Sequence, residues 1–354
     1  MSKSFLLDKL YRLKSSLRNH STYLLLISGV VLIGAVACLP DISNSYNTKE
    51  AINVIAFSPD GLTIASGDDN GKVQLRDADT FHPLKTIAQH NYGYEIDLLS
   101  YSRDGKLLVN GYTSEIDVTN IDTGHLIHRF EQSAASIAIS PDGGTLATGD
   151  IGIGSDPVNR SVRLWDIKTG RLRMTLKGHH HTVGSVAYSP DGKELASADK
   201  GGMVKLWDAK TGKCLSTMPY RGFYESAKVT FVPGNKLLAI VTDNFVDSGY
   251  ATGGPIFHFV QTRPIDEEIK VWNVRTKEHV MTLDTQEQTA HEIAISHNGL
   301  LLASAGYKKD VQLWDLVTGR LLRSLKIPGG EVTSLKFSPN DKQIVAAIRN
   351  PNTI

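Results

Sequence analysis

Residues 185–212 read SVAYSPDGKELASADKGGMVKLWDAKTG. Apolar and polar residues alternate at period 2 in three short stretches: SVAYS 185–189, ELASA 194–198 and VKLWD 204–208. That alternation marks strands half buried between layers. Pro190-Asp191-Gly192 joins the first two stretches, because proline presets φ for a turn and glycine accepts the positive φ that follows. Trp207-Asp208 ends the third, and Thr211-Gly212 opens another turn.

The same pattern recurs from residue 51 onward. Its turns are SPDG 58–61, SRDG 102–105, SPDG 140–143, SPDG 189–192, VPGN 232–235, SHNG 296–299 and SPND 338–341, with second positions 44, 38, 49, 43, 64 and 42 residues apart. Its third strands end in LRDADT 75–80, VTNIDTG 118–124, LWDIKTG 164–170, LWDAKTG 206–212, VWNVRTK 271–277 and LWDLVTG 313–319. A single sheet of this kind cannot hide both faces, whereas a ring of them can, and a ring leaves few open edges. The expected fold class is all-β.

The repeats resemble the WD40-repeat family over nearly all of residues 51–348. The resemblance implies a β-propeller whose innermost strands lie near 53–57, 95–101, 134–139, 183–188, 226–232 and 290–295, with a seventh blade starting at 332–341 and 343–349. The chain stops at Ile354, before a third strand and Trp-Asp for that blade, so an incomplete seven-bladed ring is expected. The organisation follows: a basic region 1–22, an apolar segment 23–39, a linker or closing strand 40–50, the WD40 β-propeller 51–349 and a tail 350–354.

The same resemblance implies a structural His–Ser/Thr–Asp–Trp hydrogen-bond chain within a blade. His179 is expected to pair with Ser189, and Trp165, Trp207, Trp272 and Trp314 occupy the tryptophan position. At the expected aspartate position Asp266 precedes Trp272, but Asn159 precedes Trp165, Asn70 precedes Arg76 and Gly201 precedes Trp207. No blade is therefore expected to be fully wired, which leaves blade stability to apolar packing.

Length and composition fit a globular body: 354 residues, 41% hydrophobic and 21% charged. Residues 1–40 carry a net +4 and the rest −3, so the folded part has no basic face for nucleic acid. Residues 23–39, YLLLISGVVLIGAVACL, form an uncharged run after five basic residues. That run approaches the ~20 residues that span hydrocarbon, and the basic flank predicts an exported body. An uncleaved signal anchor, a lipoprotein signal and an ordinary cleaved signal remain open. Ala35-Val36-Ala37-Cys38 is similar to a bacterial lipobox, which implies lipidation at Cys38, although Ala35 stands where that motif prefers leucine. The expected location is a membrane, with the propeller on the exported side.

Two insertions, 151–161 and 244–268, fall between second and third strands. The longer carries Phe245, Tyr250, Phe257 and Phe259, and Tyr220, Phe223 and Tyr224 precede the same blade. Aromatics on loops of a rigid scaffold suit protein recognition. His179-His180-His181 lacks Cys or carboxylate companions at ligand spacing, so no metal is expected. The chain has no GxSxG, HExxH, Gly-rich phosphate loop or CxxC. The expected function is a membrane-tethered scaffold for protein partners, with no cofactor. The alternatives are a hydrolase or oxidoreductase using the central funnel, or a self-assembling envelope subunit.

Overall fold

The computed structural model describes residues 22–28, 42–48, 51–90, 94–112, 114–151, 160–219, 226–234, 237–243, 268–285, 290–306, 310–327 and 330–349. They form seven antiparallel sheets of four strands. Blade 1 holds β3 (Ile52–Phe57), β4 (Thr63–Asp68), β5 (Lys72–Asp77) and β6 (Pro83–Gln89). Blade 2 holds β7 (Ile96–Tyr101), β8 (Leu107–Tyr112), β9 (Glu115–Asn120) and β10 (Leu126–Phe130). Blade 3 holds β11 (Ala134–Ile139), β12 (Thr145–Asp150), β13 (Val162–Asp166) and β14 (Leu172–Leu176). Blade 4 holds β15 (Val183–Tyr188), β16 (Glu194–Asp199), β17 (Met203–Asp208) and β18 (Cys214–Pro219). Blade 5 holds β19 (Ser226–Phe231), β20 (Leu237–Asp243), β21 (Glu268–Asn273) and β22 (His279–Asp284). Blade 6 holds β23 (Ala290–Ile295), β24 (Leu301–Gly306), β25 (Asp310–Asp315) and β26 (Leu321–Lys326). Blade 7 combines β27 (Glu331–Phe337) and β28 (Gln343–Arg349) with β1 (Thr22–Ser28) and β2 (Ile42–Thr48), in the order β2-β1-β28-β27.

The innermost strands touch in a closed cycle, β3 to β7, β11, β15, β19, β23, β27 and back to β3. The sheets are thus radial blades around a channel, and the core lies between neighbouring blades. Blades 7 and 1 bury Val345 and Ala347 against Ile52, Ile55, Ile64 and Phe81. Blades 4 and 5 bury Val204, Leu206 and Met218 against Val229, Phe231 and Leu238. Each large aliphatic side chain so removed from water contributes about 1.5–3 kcal/mol. The second strands are covered on both faces, which explains their small residues: ASGD 65–68, ATGD 147–150 and ASAD 196–199 let adjacent sheets approach.

Six of the seven recurring turns are built the same way, and VPGN 232–235 in blade 5, which lacks the serine, is the exception. In blade 4 the Ser189 hydroxyl donates to Asp191 Oδ1 (2.7 Å) and accepts from the Glu194 N–H (2.9 Å). Gly192 takes φ +71°, and the seventh turn puts Asp341 at φ +57° in the corresponding place. Innermost strands expose one edge to the channel, and neighbouring blades satisfy part of it. Ser136 accepts from the Val186 N–H (3.1 Å), Ser185 from the Val229 N–H (3.1 Å) and Ser334 from the Ile55 N–H (3.3 Å). These serines stitch blade 3 to 4, 4 to 5 and 7 to 1.

Ring closure uses both ends of the described chain. β1 runs antiparallel to β28 from Tyr23↔Ile348 to Ser28↔Gln343, and β2 pairs outside it. Of the apolar helix expected over 23–39, residues 29–39 lie outside the described residues, and the backbone at its start is this strand. Residues 1–21 and 350–354 also lie outside. No helix among the described residues is long and apolar enough to cross a membrane.

Candidate functional site

Blade 4 contains one continuous chain of buried polar groups. His179 Nδ1 lies 2.9 Å from Asp199 Oδ2, its Nε2 lies 2.6 Å from Ser197 Oγ, and Trp207 Nε1 donates to Ser197 Oγ at 2.8 Å. Burial holds His179 below the usual imidazole range, although Asp199 opposes that shift. A neutral ring has one N–H, and a carboxylate only accepts, so Nδ1–H donates to Asp199 and Nε2 accepts from the Ser197 hydroxyl. Burial also works against the Asp199 charge, but hydrogen bonds from His179 and the Met203 N–H outweigh it and lower its pKa. The other Asp199 oxygen accepts from the Gly201 and Met203 N–H groups, both at 3.0 Å, and closes the turn between β16 and β17.

Two expectations are corrected here. The serine that His179 meets is Ser197, on the second strand, while Ser189 is committed to its own turn. The aspartate is Asp199, at the end of β16, rather than the position held by Gly201 two residues later. Blade 4 is therefore fully wired. The signal for it was present in the sequence as Ser/Thr-x-Asp at second-strand ends: Ser66-Gly67-Asp68, Thr148-Gly149-Asp150 and Ser197-Ala198-Asp199.

The other blades carry parts of this chain. Trp314 Nε1 donates to Ser304 Oγ (2.9 Å) in blade 6, and Trp165 Nε1 to Thr148 Oγ1 (3.1 Å) in blade 3. There Gln132 donates to the same hydroxyl at 2.6 Å, where blade 4 uses histidine. In blade 1 Arg76 replaces the indole and its Nε donates to Ser66 Oγ (3.0 Å). Trp272 in blade 5 keeps the ring without the bond, since its Nε1 is buried with no hydrogen-bond partner among the described residues. Asp266 lies outside the described residues.

Ser197, His179 and Asp199 have the connectivity of an acyl-transfer triad. A nucleophile must also reach its substrate. Ser197 is 0% exposed and His179 5%, and the indole N–H already occupies the serine oxygen. The arrangement does structural work. Among the described residues no group of His, Cys, Asp and Glu side chains is placed to hold a metal ion. Cys214 is a free, exposed thiol, and Cys38 lies outside the described residues.

Two places stand out where a ligand could meet the scaffold. One is the end of the channel on the side of the SPDG turns, a cavity of about 760 Å³. The other is the opposite face at blade 5. There Ser226 pairs with Asp243, so the connections 220–225 and 244–267 leave the sheet from two facing residues. Tyr220, Phe223, Tyr224, Phe245, Tyr250, Phe257 and Phe259 all lie in those connections, outside the described residues.

Residues 42–77, 121–166 and 170–208 match the family described as WD domain, G-beta repeat. The chain is similar to the nuclear distribution protein PAC1 of Arthroderma otae, 24% identical over 82% of this chain and 65% of that protein. It is also similar to autophagy-related protein 16 of Arabidopsis thaliana, 25% identical over 63% of this chain and 38% of that protein. Human apoptotic protease-activating factor 1 is 21% identical over 84% of this chain and 25% of that protein. The chain thus spans less than two thirds of the length of each. These relatives correct the expected location at a membrane on the exported side. They are named for nuclear distribution, autophagy and apoptotic protease activation, none of them an anchored or exported role. Nor is any of them named for a reaction it catalyses. Repeat match, ring of four-stranded sheets and the Asp–His–Ser–Trp chain of blade 4 converge: the chain carries a WD40 β-propeller domain.

Proposed function

We propose that the protein is a scaffold that presents one face of a rigid ring to a protein partner, with blade 5 as the docking corner. The observation that carries this reading is the Ser226↔Asp243 pair, from which two aromatic-bearing connections depart side by side. The strands beneath them are held in register, from Leu237↔Asn273 to Val241↔Ile269, so the corner is anchored in a packed sheet. Large aromatics supply anchor area at low entropic cost, and a rigid base reduces the ordering cost of binding. The similar proteins, named for nuclear distribution, autophagy and apoptotic protease activation, agree with a scaffold role.

The test is crosslinking mass spectrometry on the full chain in extract of its native source, beside a variant lacking residues 244–265. The reading expects partner crosslinks within 220–224 and 244–267, lost in the deletion while the melting temperature holds. The same partners retained by the deletion variant would rule out this corner.

A further inference from the structure

The channel end on the turn side has an unusual lining. β3, β7, β19, β23 and β27 contribute to it near their C-terminal ends, so five of the seven blades meet there. Its charged side chains are Lys336 and Arg103, its hydroxyls include Ser100 and Thr230, and no lining residue is acidic. Leu99, Ile293 and Phe337 supply apolar wall. The accessible lining is about as polar as it is apolar, and the volume falls in the usual range of small-molecule sites, roughly 300–1,000 Å³.

The charge balance decides what kind of molecule fits. Deeper in the channel Lys228 of β19 forms an ion pair with Glu292 of β23, across the boundary between blades 5 and 6. Lys228 keeps 38% of its side-chain surface open to channel water while protein surrounds it. Burial and the nearby Lys336 pull it down from the usual lysine range, against the attraction of Glu292. That carboxylate is therefore already matched. Lys336 stands two residues beyond Ser334 on β27, half-buried and lining the cavity, with no ion pair or hydrogen bond among the described residues. Burial alone lowers its pKa. A cation in that position carries a desolvation cost that an arriving anion relieves.

We propose that this channel end binds a small organic oxyanion, with Lys336 and Arg103 on the anionic group and Leu99, Ile293 and Phe337 along an apolar body. A phosphate ester and a carboxylate share that chemistry, and the probes separate them. The site lies on the opposite face from the blade 5 corner and stands or falls independently of it.

Phenyl phosphate, phenylacetate and uncharged benzyl alcohol are titrated calorimetrically into the full chain. In parallel, acylation of Lys336 by acetic anhydride is followed by peptide mass spectrometry with and without each compound. One or both anions should bind saturably, benzyl alcohol should not, and the binding anion should slow acylation at Lys336. Lys336→Met should weaken binding about tenfold or more, as loss of a charge-assisted hydrogen bond does, while Lys336→Arg retains most of it. Arg103 is exposed at the mouth, so Arg103→Gln leaves the fold intact and should weaken binding roughly threefold. The inference is overturned if neither anion binds or protects Lys336, if benzyl alcohol binds as well as the anions, or if Lys336→Met binds as well as the parent.

Discussion

Blades 4 and 5 stand side by side on one four-stranded plan and solve the same burial problem differently. In blade 4 the residue opposite Lys205 is Ser197, whose hydroxyl joins Trp207 to His179 and Asp199. In blade 5 the residue opposite Lys270 is Ile240, a type with no hydroxyl, and Trp272 Nε1 has no hydrogen-bond partner among the described residues. Trp272 instead meets His279 edge-on, with ring centroids 5.5 Å apart. Packing of the indole is enough to form a blade, and the hydrogen-bond chain is a local addition to it. The blade without the chain is also the one that carries the 24-residue connection 244–267.

Breaking the blade 4 chain should give the largest effect. His179→Ala leaves the Asp199 carboxylate, 1% exposed, facing an apolar void. Removing one partner of a buried pair costs about 3–5 kcal/mol, and urea unfolding should show a loss near the lower figure. A loss under about 1 kcal/mol would mean that the chain adds specificity rather than stability. The same pair makes this blade sensitive to acid. The folded His179 pKa lies below 6.5, so unfolded chains take up that proton first, and stability should fall as pH drops from about 6.5 toward the folded value. Asp199 adds a second fall of the same sign below about 3.8, because its folded pKa is also depressed. In His179→Gln the first fall should shrink, leaving the contribution of His90, which burial lowers too. Denaturant midpoints taken across that range test it, and an unchanged slope would remove His179 from the account.

What was legible in the sequence was local. Strand alternation and the Ser-Pro-Asp-Gly turn each operate within about ten residues, so their spacing revealed seven repeats and the expected inner strands. The blade 4 chain was misread because it crosses strands. Counting forward from His179 by the usual distance reaches Ser189, yet the register of β15 with β16 presents Ser197. Counting back from Trp207 reaches Gly201, while the carboxylate that matters ends β16. The channel was less legible still. Lys228, Glu292 and Lys336 lie on three separate repeats, and only closure of the ring sets them around one axis. Closure itself pairs Tyr23 with Ile348, a contact that no local pattern announces.

A smaller substitution tests whether blade 5 really lacks what its neighbours have. Trp314 in blade 6 donates to Ser304, and both groups are buried. Trp314→Phe keeps most of the ring and removes the donor, leaving the Ser304 hydroxyl short of a partner. Trp272→Phe makes the same trade in blade 5, but there the lost N–H has no partner among the described residues, and its removal relieves a buried polar group. Ring packing is lost in both, more at buried Trp314 than at half-buried Trp272, so the difference contains the hydrogen bond plus a smaller packing excess. Trp314→Phe should cost about 1 kcal/mol more than Trp272→Phe. Equal losses in thermal or urea unfolding would mean that the Trp272 N–H is satisfied in solution, and the contrast between wired and unwired blades would then rest on His179 and Asp199 alone.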